Sequence, residues 1–315
     1  MYNYVIFHKG CNDGFASFII LNKSKLISND AIIYQDVPSA KSVPQRITGK
    51  DVIIMDVAYK YNILKSIFKE ANSVTFIDHH ITIRDDVKKL QDEIQDKNIK
   101  IIYDEKECGS SLTWNYLFKN KSMPLFLKYV KDNDIGTWKL KHTFPFITSL
   151  NTKYGTQLNK KNILNWNKLF IKENVVKFIN RGKIYMEYVD NLLNENSKRY
   201  SLESFPSEKI YEKHSKYFKS PGCYKVAVVC GNGCPNASML GKKMMETIDC
   251  DFVILWNLNL ERKEYILMFR SSKVDVGEIA SIFGGGGHKL ASACFISLSK
   301  YDITELFYPK SLPRN

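Results

Sequence analysis

No window of the sequence approaches the roughly 20 consecutive apolar residues that a membrane helix needs, and the opening MYNYVIFHKG lacks the layout of a secretory signal. These absences lead us to expect a soluble, cytoplasmic protein with no membrane partner. Disulfide chemistry is missing as well. Seven cysteines (Cys11, Cys108, Cys223, Cys230, Cys234, Cys250 and Cys294) are odd in number and irregular in spacing, which fits reduced thiols and not a cross-linked scaffold. Cys230 and Cys234 have no second Cys or His pair nearby to complete a tetrahedral zinc site. Internal repeats and low-complexity blocks are also absent.

What is present is a long chain with ample apolar content. At 315 residues, 44% of them hydrophobic, it is expected to form two domains with a connecting segment. Lys and Arg total 46 against 33 Asp and Glu, a net charge of +13, which raises the local concentration of anions such as nucleotides. The same balance also fits a solvated lysine surface, so charge alone does not identify a substrate.

Three short runs at residues 2–7, 52–55 and 74–77 are almost continuously apolar, the pattern of strands buried on both faces of a parallel sheet. Residues 15–21 and 61–70 can supply crossover helices, which completes a βαβ pattern. From about residue 151 the apolar residues recur at three- and four-residue steps, as in a helical connector; a coiled-coil partner surface is the competing reading. Strand signals resume at 224–229, 252–256 and 265–269, with helices expected at 238–247 and 276–282. The expected fold is α/β with two domains. These are a parallel-sheet domain over 1–150 and a smaller α/β domain over 206–315, joined by a helical connector over 151–205.

In open α/β sheets, ligands bind beyond the carboxyl ends of the strands. After the first run come His8 and Asp13, after the second Asp56, and after the third Asp78, His79 and His80. Taken singly, each has an ordinary explanation as a helix cap or a satisfied loop side chain. Together they crowd carboxylates and imidazoles at consecutive strand ends, which is costly unless a cation or a hydrogen-bond network compensates. An oxygen-rich set with imidazole suits Mn or Mg, with Zn or Fe as alternatives, and a carboxylate between two ions can bridge them.

The run FIDHH, with HKGCNDGFAS before it and FGGGGHKLASAC near the C-terminus, resembles the DHH phosphoesterase family with its C-terminal DHHA1 substrate-binding domain. Nano-RNase and oligoribonuclease-like phosphodiesterases belong to that group. The resemblance covers essentially the whole chain. It implies His8, Asp13, Asp56 and His79 as metal ligands with Asp56 bridging, Asp78 as the carboxylate that orients the cluster, and His80 facing the scissile phosphate. A further ligand follows a helix in the family, and VKDNDIGTW offers Asp132 and Asp134; Asp134 is preferred because Trp138 follows it shortly. One departure stands out: Cys11 occupies the place of the family's first-motif Asp, with His8 one residue further away. Cys11 is then a softer ligand that shifts preference toward Zn or Fe, or no ligand at all.

For the second domain the resemblance implies a substrate clamp of Arg270, Gly286, Gly287 and His288, with Asn232 as a weaker member. Glycines let backbone amides approach an anion, and an Arg fork can hold a phosphate. A flexible turn is the plain alternative. A clamp at a fixed distance from the metals would act as a ruler and favour nucleotides or short oligonucleotides over long nucleic acid. The expected function is therefore a metal-dependent phosphoesterase using two divalent ions, Mn2+ foremost. A 3′-phosphoadenosine phosphatase and a cyclic nucleotide or cyclic dinucleotide phosphodiesterase are rivals, as is an inactive nucleotide sensor or nucleic-acid-binding scaffold. A homodimer is left open.

Overall fold

The computed structural model describes residues 1–38, 40, 42–94, 98–234 and 236–309, and they divide into two units, Met1–Met186 and Glu187–Asn315. In the first, the chain runs through β1 (Tyr2–His8), α1 (Asn12–Ser24), β2 (Ile27–Asp36), β3 (Asp51–Met55), α2 (Tyr61–Glu70), β4 (Ser73–Asp78), α3 (Arg84–Glu93) and β5 (Ile99–Tyr103). The helices α4 (Gly109–Leu117), α5 (Leu125–Asp134), α6 (Thr143–Lys153) and α7 (Lys160–Asn167) come next, then α8 (Lys172–Asn196), within which the division falls.

The five strands form a wholly parallel sheet in the order β2-β1-β3-β4-β5. Alternation along β1 separates two cores, because successive side chains leave a strand on opposite faces. Val5 and Phe7 join Phe15, Phe18 and Trp166 on one face, while Tyr4 and Ile6 join Ile54, Leu64 and Phe76 on the other. The chain leaves β1 for one side of the sheet and β3 for the other. The ends of β1 and β3 therefore flank the crevice where the strand order reverses, the place such sheets offer to ligands. All three apolar runs are strands of this sheet. The two strands that the runs did not reveal, β2 and β5, are its edges, where polar residues interrupt the pattern.

The second unit contains β6 (Tyr200–Phe205), α9 (Glu208–His214), β7 (Tyr224–Cys230), α10 (Ala237–Thr247), β8 (Phe252–Asn259), β9 (Glu264–Ser271), α11 (Val276–Ile282), β10 (Gly286–His288) and β11 (Ala291–Ser297). Its six-stranded sheet, in the order β10-β11-β9-β8-β7-β6, is mixed: β7 and β8 pair in parallel and every other pair is antiparallel. Phe205, Phe252, Phe269 and Ile279 lie in its core. Within the described residues, no helix is long and apolar enough to cross a membrane.

Candidate metal centre

Each side chain of the centre is delivered by the end of a regular element. His8 closes β1, and after the turn at Gly10 (φ 73°) Cys11 caps α1, its Sγ accepting from the Asp13 amide at 3.3 Å. The Asp-Gly pair has a steric reason: a Cβ on Gly14 would lie 2.6 Å from His8 Cβ and 2.7 Å from its carbonyl oxygen. Only glycine lets α1 start this close to β1 and bring Asp13 beside His8. Asp56 comes after β3 with φ 62°, a left-handed conformation that non-glycine residues seldom adopt, and its amide donates to Ile77 O at 2.9 Å. Strain of this kind persists where the surroundings hold it, and it gathers at functional sites.

Asp78 ends β4 and organises the two histidines next to it in the chain. Its Oδ1 accepts from the His79 amide (2.7 Å), the His80 amide (2.8 Å) and His80 Nδ1 (2.9 Å), which aims both imidazoles. Tyr103, ending β5, donates to the His80 carbonyl at 2.9 Å. Asp134 is the last residue of α5.

Two groups of donors result. His8, Cys11 and Asp56 bring one ligand atom each to within 4.8 Å of one another, and Asp13, His79 and Asp134 do the same. Asp56 lies between the groups, with Oδ2 3.4 Å from His8 Nδ1 and Oδ1 3.1 Å from His79 Nε2. His79 Nε2 also lies 3.4 Å from Asp134 Oδ2 and 3.8 Å from Asp13 Oδ2. The alternative ligand Asp132 faces elsewhere: its carboxylate accepts from Thr137 Oγ1 (2.7 Å), the Lys139 amide (2.8 Å), the Leu140 amide (3.1 Å) and the Thr143 hydroxyl, fastening the segment after α5.

Electrostatics mark the centre as short of positive charge. Burial pushes the Asp13 carboxyl up and the Asp56 charge adds to it, partly relieved by His79. Burial and the Asp13 charge push Asp134 well up. Burial opposes ionisation of Asp56 too, but the adjacent imidazoles of His79 and His8 override it and hold that carboxyl well below its usual range. Burial pulls His79 down, yet the bond to Asp56 and the charges of Asp134, Asp56 and Asp13 raise it to about 10. For His80 the pull of burial is outweighed by Asp78, and the imidazole is raised. Asp13 Oδ2, Asp56 Oδ2 and Asp134 Oδ2 are buried with no hydrogen-bond donor. Buried acceptors of one sign without donors fit a divalent cation.

The sequence reading overlooked the start of α4. The Ser110 amide donates to Asp13 Oδ1 at 3.0 Å, and its hydroxyl bonds the same oxygen. A Cβ on Gly109 would lie 2.7 Å from Asp56 Cβ and 2.9 Å from Asp13 Oδ2. The run CGSS could have been noticed as a small-residue helix start, but nothing in it names Asp13 as its target.

The remaining predicted residues lie in the second unit. The Arg270 side chain passes Gly241, where a Cβ would lie 2.5 Å from its Cγ, and reaches the first turn of α10. There Nε and Nη2 donate to Ser238 Oγ at 3.3 and 3.1 Å, and Nη1 donates to Phe269 O at 2.7 Å. Burial pulls this guanidinium down to about 10. Gly286, Gly287 and His288 form β10 and are not a free turn: Gly287 (φ 140°) packs where a Cβ would meet Ala291 O at 2.7 Å. Asn232 is exposed, in the turn after β7.

No family model matches the chain. An uncharacterized protein of Acanthamoeba polyphaga mimivirus is 28% identical over 309 residues, covering 93% of this chain and 67% of that protein. Among solved structures, the chain is similar to the pGpG-specific phosphodiesterase PggH from Vibrio cholerae, with TM-score 0.47 and 12% identity over 95% of this chain and 94% of that one. It is also similar to an exopolyphosphatase-related protein from Bacteroides fragilis, with TM-score 0.42 and 14% identity over 92% of this chain and 85% of that one.

Proposed function

We propose that the chain is a metal-dependent phosphoesterase acting on nucleotides or short oligonucleotides. The observation that carries this reading is the pair of donor groups that meet where Asp56 of the first lies 3.1 Å from His79 of the second, each holding buried carboxylate oxygens without donors. His8, Cys11 and Asp56 would hold one divalent ion, and Asp13, His79 and Asp134 the other, with Asp56 common to both. Such ions supply Lewis acidity at a phosphoryl oxygen and lower the pKa of water. Mn2+ is the first candidate because carboxylate and imidazole dominate, and the Cys11 thiol makes Zn2+ and Fe2+ the next to try.

The protein's own side chains do the rest. Asp78 holds His80 by its Nδ1 and so orients the imidazole that would face the phosphate and protonate the leaving oxygen. Arg270, with Gly286, Gly287, His288 and Asn232, would bind the remainder of the substrate; a guanidinium bonded only to a hydroxyl and carbonyls has donors and charge left for a phosphate.

A chromatographic product screen with Mn2+ tests the reading against dinucleotides, longer oligomers, cyclic dinucleotides and 3′-phosphoadenosine phosphate. Cleavage of one class names the substrate, and Asp56→Ala should abolish it while the fold persists. Nucleotide binding without turnover under Mn2+, Mg2+, Zn2+ or Fe2+ would instead make the protein a sensor.

A further inference from the structure

The first unit contains a second concavity, remote from the carboxylates. It has a volume of about 420 Å3 and is lined by Ser122, Met123, Pro124, Leu125 and Lys128 at the start of α5, and by Leu169, Phe170 and Lys172 before and at the start of α8. Asp134 stands at the opposite end of α5, whose ten residues place the two ends about 15 Å apart. The cavity is thus separate from the metal centre.

Its chemistry is divided. One side is apolar: Met123, Leu125 and Phe170 are partly exposed around a buried Leu169. Phe170 is held edge-on by Phe126, with ring centroids 5.1 Å apart, and Lys23 Nζ sits 4.5 Å from its ring centre. The other side is cationic. Lys128 and Lys172 are exposed and pair with no carboxylate among the described residues, in contrast to Lys131 one turn along α5, which bonds Glu107 at 2.6 Å. Among the described residues, no acidic one lines the cavity. Lys128 and Lys172 bring two ammonium groups to an aromatic-walled hollow, and an anion with a planar apolar part can meet that charge while covering the ring. The volume falls within the roughly 300–1,000 Å3 of small-molecule pockets.

We propose that this hollow is a second nucleotide site, distinct from the metal centre, which binds a nucleoside monophosphate group with its phosphate on Lys128 and Lys172 and its base or sugar against Met123 and Phe170. It does not depend on hydrolysis, so it stands or falls apart from the phosphoesterase reading.

The test uses the full chain with Arg270→Ala, in a chelator, so that the proposed clamp lacks its guanidinium and no metal contributes. Calorimetry with adenosine 5′-monophosphate should then find one site. Adding Lys128→Glu and Lys172→Glu, both exposed and tolerable to the fold, should weaken binding by about tenfold or more. The Met123 methyl signal should move on titration with adenosine 5′-monophosphate and less with inorganic phosphate. The Lys128→Glu, Lys172→Glu pair on the otherwise native chain should leave metal-dependent activity unchanged. Absence of nucleotide binding in the Arg270→Ala chain, binding indifferent to the two lysines, or a stationary Met123 signal would each overturn the assignment.

Discussion

Replacing Gly109 with alanine puts a single methyl group between the two carboxylates on which the metal centre turns. Its Cβ would lie 2.7 Å from Asp56 Cβ and 2.9 Å from Asp13 Oδ2, whereas ordinary contacts begin at 3.4 Å, so the neighbours must retreat by about 0.7 Å. Neither can do so freely. Asp56 has a left-handed backbone tied to Ile77 O, and Asp13 is bonded by Ser110, the very next residue of the same helix. Overpacking of this kind costs about 1–3 kcal/mol, offset by about 1 kcal/mol from the better helix propensity of alanine. The expected net loss is therefore small, about 0–2 kcal/mol, at most a few degrees in Tm. The effect on metal should be larger in proportion, about 10–100-fold in affinity, because ligand positions are what the methyl displaces. Mn2+ binding by competition with an indicator, alongside thermal melts, measures both. Gly49→Ala is the control: Gly49 has φ 70° with nothing within 4 Å of its missing Cβ, so it should lose comparable stability with native Mn2+ affinity. Unchanged metal binding in Gly109→Ala would show that α4 does not set the ligand geometry.

Asp134→Asn and Asp132→Asn should separate cleanly. The first removes a repelled carboxylate, so metal binding falls while Tm holds or rises; the second keeps one oxygen but deprives two of the four donors of their acceptor and should cost about 3 kcal/mol, seen as a lowered Tm. In metal-free protein, protonated His79 stabilises the fold fully below its unfolded value of about 6.5, and this contribution is lost as pH rises toward about 10. A divalent ion must displace that proton, so its apparent affinity should climb by about tenfold per pH unit between pH 7 and 9, and a flat profile would exclude His79 as a ligand. Tyr103→Phe removes the donor to the His80 carbonyl and should lower kcat several-fold with KM unchanged in the assay that reveals the substrate. Gly182→Ala would place a Cβ 1.7 Å from Pro145 O where α8 crosses α6, and should cost more than about 3 kcal/mol by chemical denaturation.

Crowded carboxylates have a cost that this chain does not avoid by pairing each with a base. Lys and Arg are plentiful on its surface, yet the first unit's centre holds three buried aspartates against imidazoles alone. A fixed lysine there would neutralise the charge permanently. If an exchangeable ion supplied the positive charge, as proposed, the donors would stay available, at the expense of the metal-free fold.

The sequence by itself determined the central strands, because residues buried on both faces of a parallel sheet read as unbroken apolar runs, and it determined which residues come after them. His8, Asp13, Asp56, Asp78, His79 and His80 were legible as strand-end residues for that reason. The edge strands β2, β5, β6 and β10, and the interior strand β11 of the mixed sheet, were not, since polar residues interrupt them or their runs are short, and their pairing depends on neighbours elsewhere in the chain. Two decisions belonged to the tertiary structure alone. Asp132 and Asp134 differ by two residues and share one composition, so only the direction of the last turn of α5 sends one carboxylate to backbone amides and the other to His79. Likewise Gly109 and Ser110 are ordinary in sequence, and become part of the candidate metal centre because the packing of α4 against α1 brings a helix start, with its amide and its missing side chain, against Asp13 and Asp56.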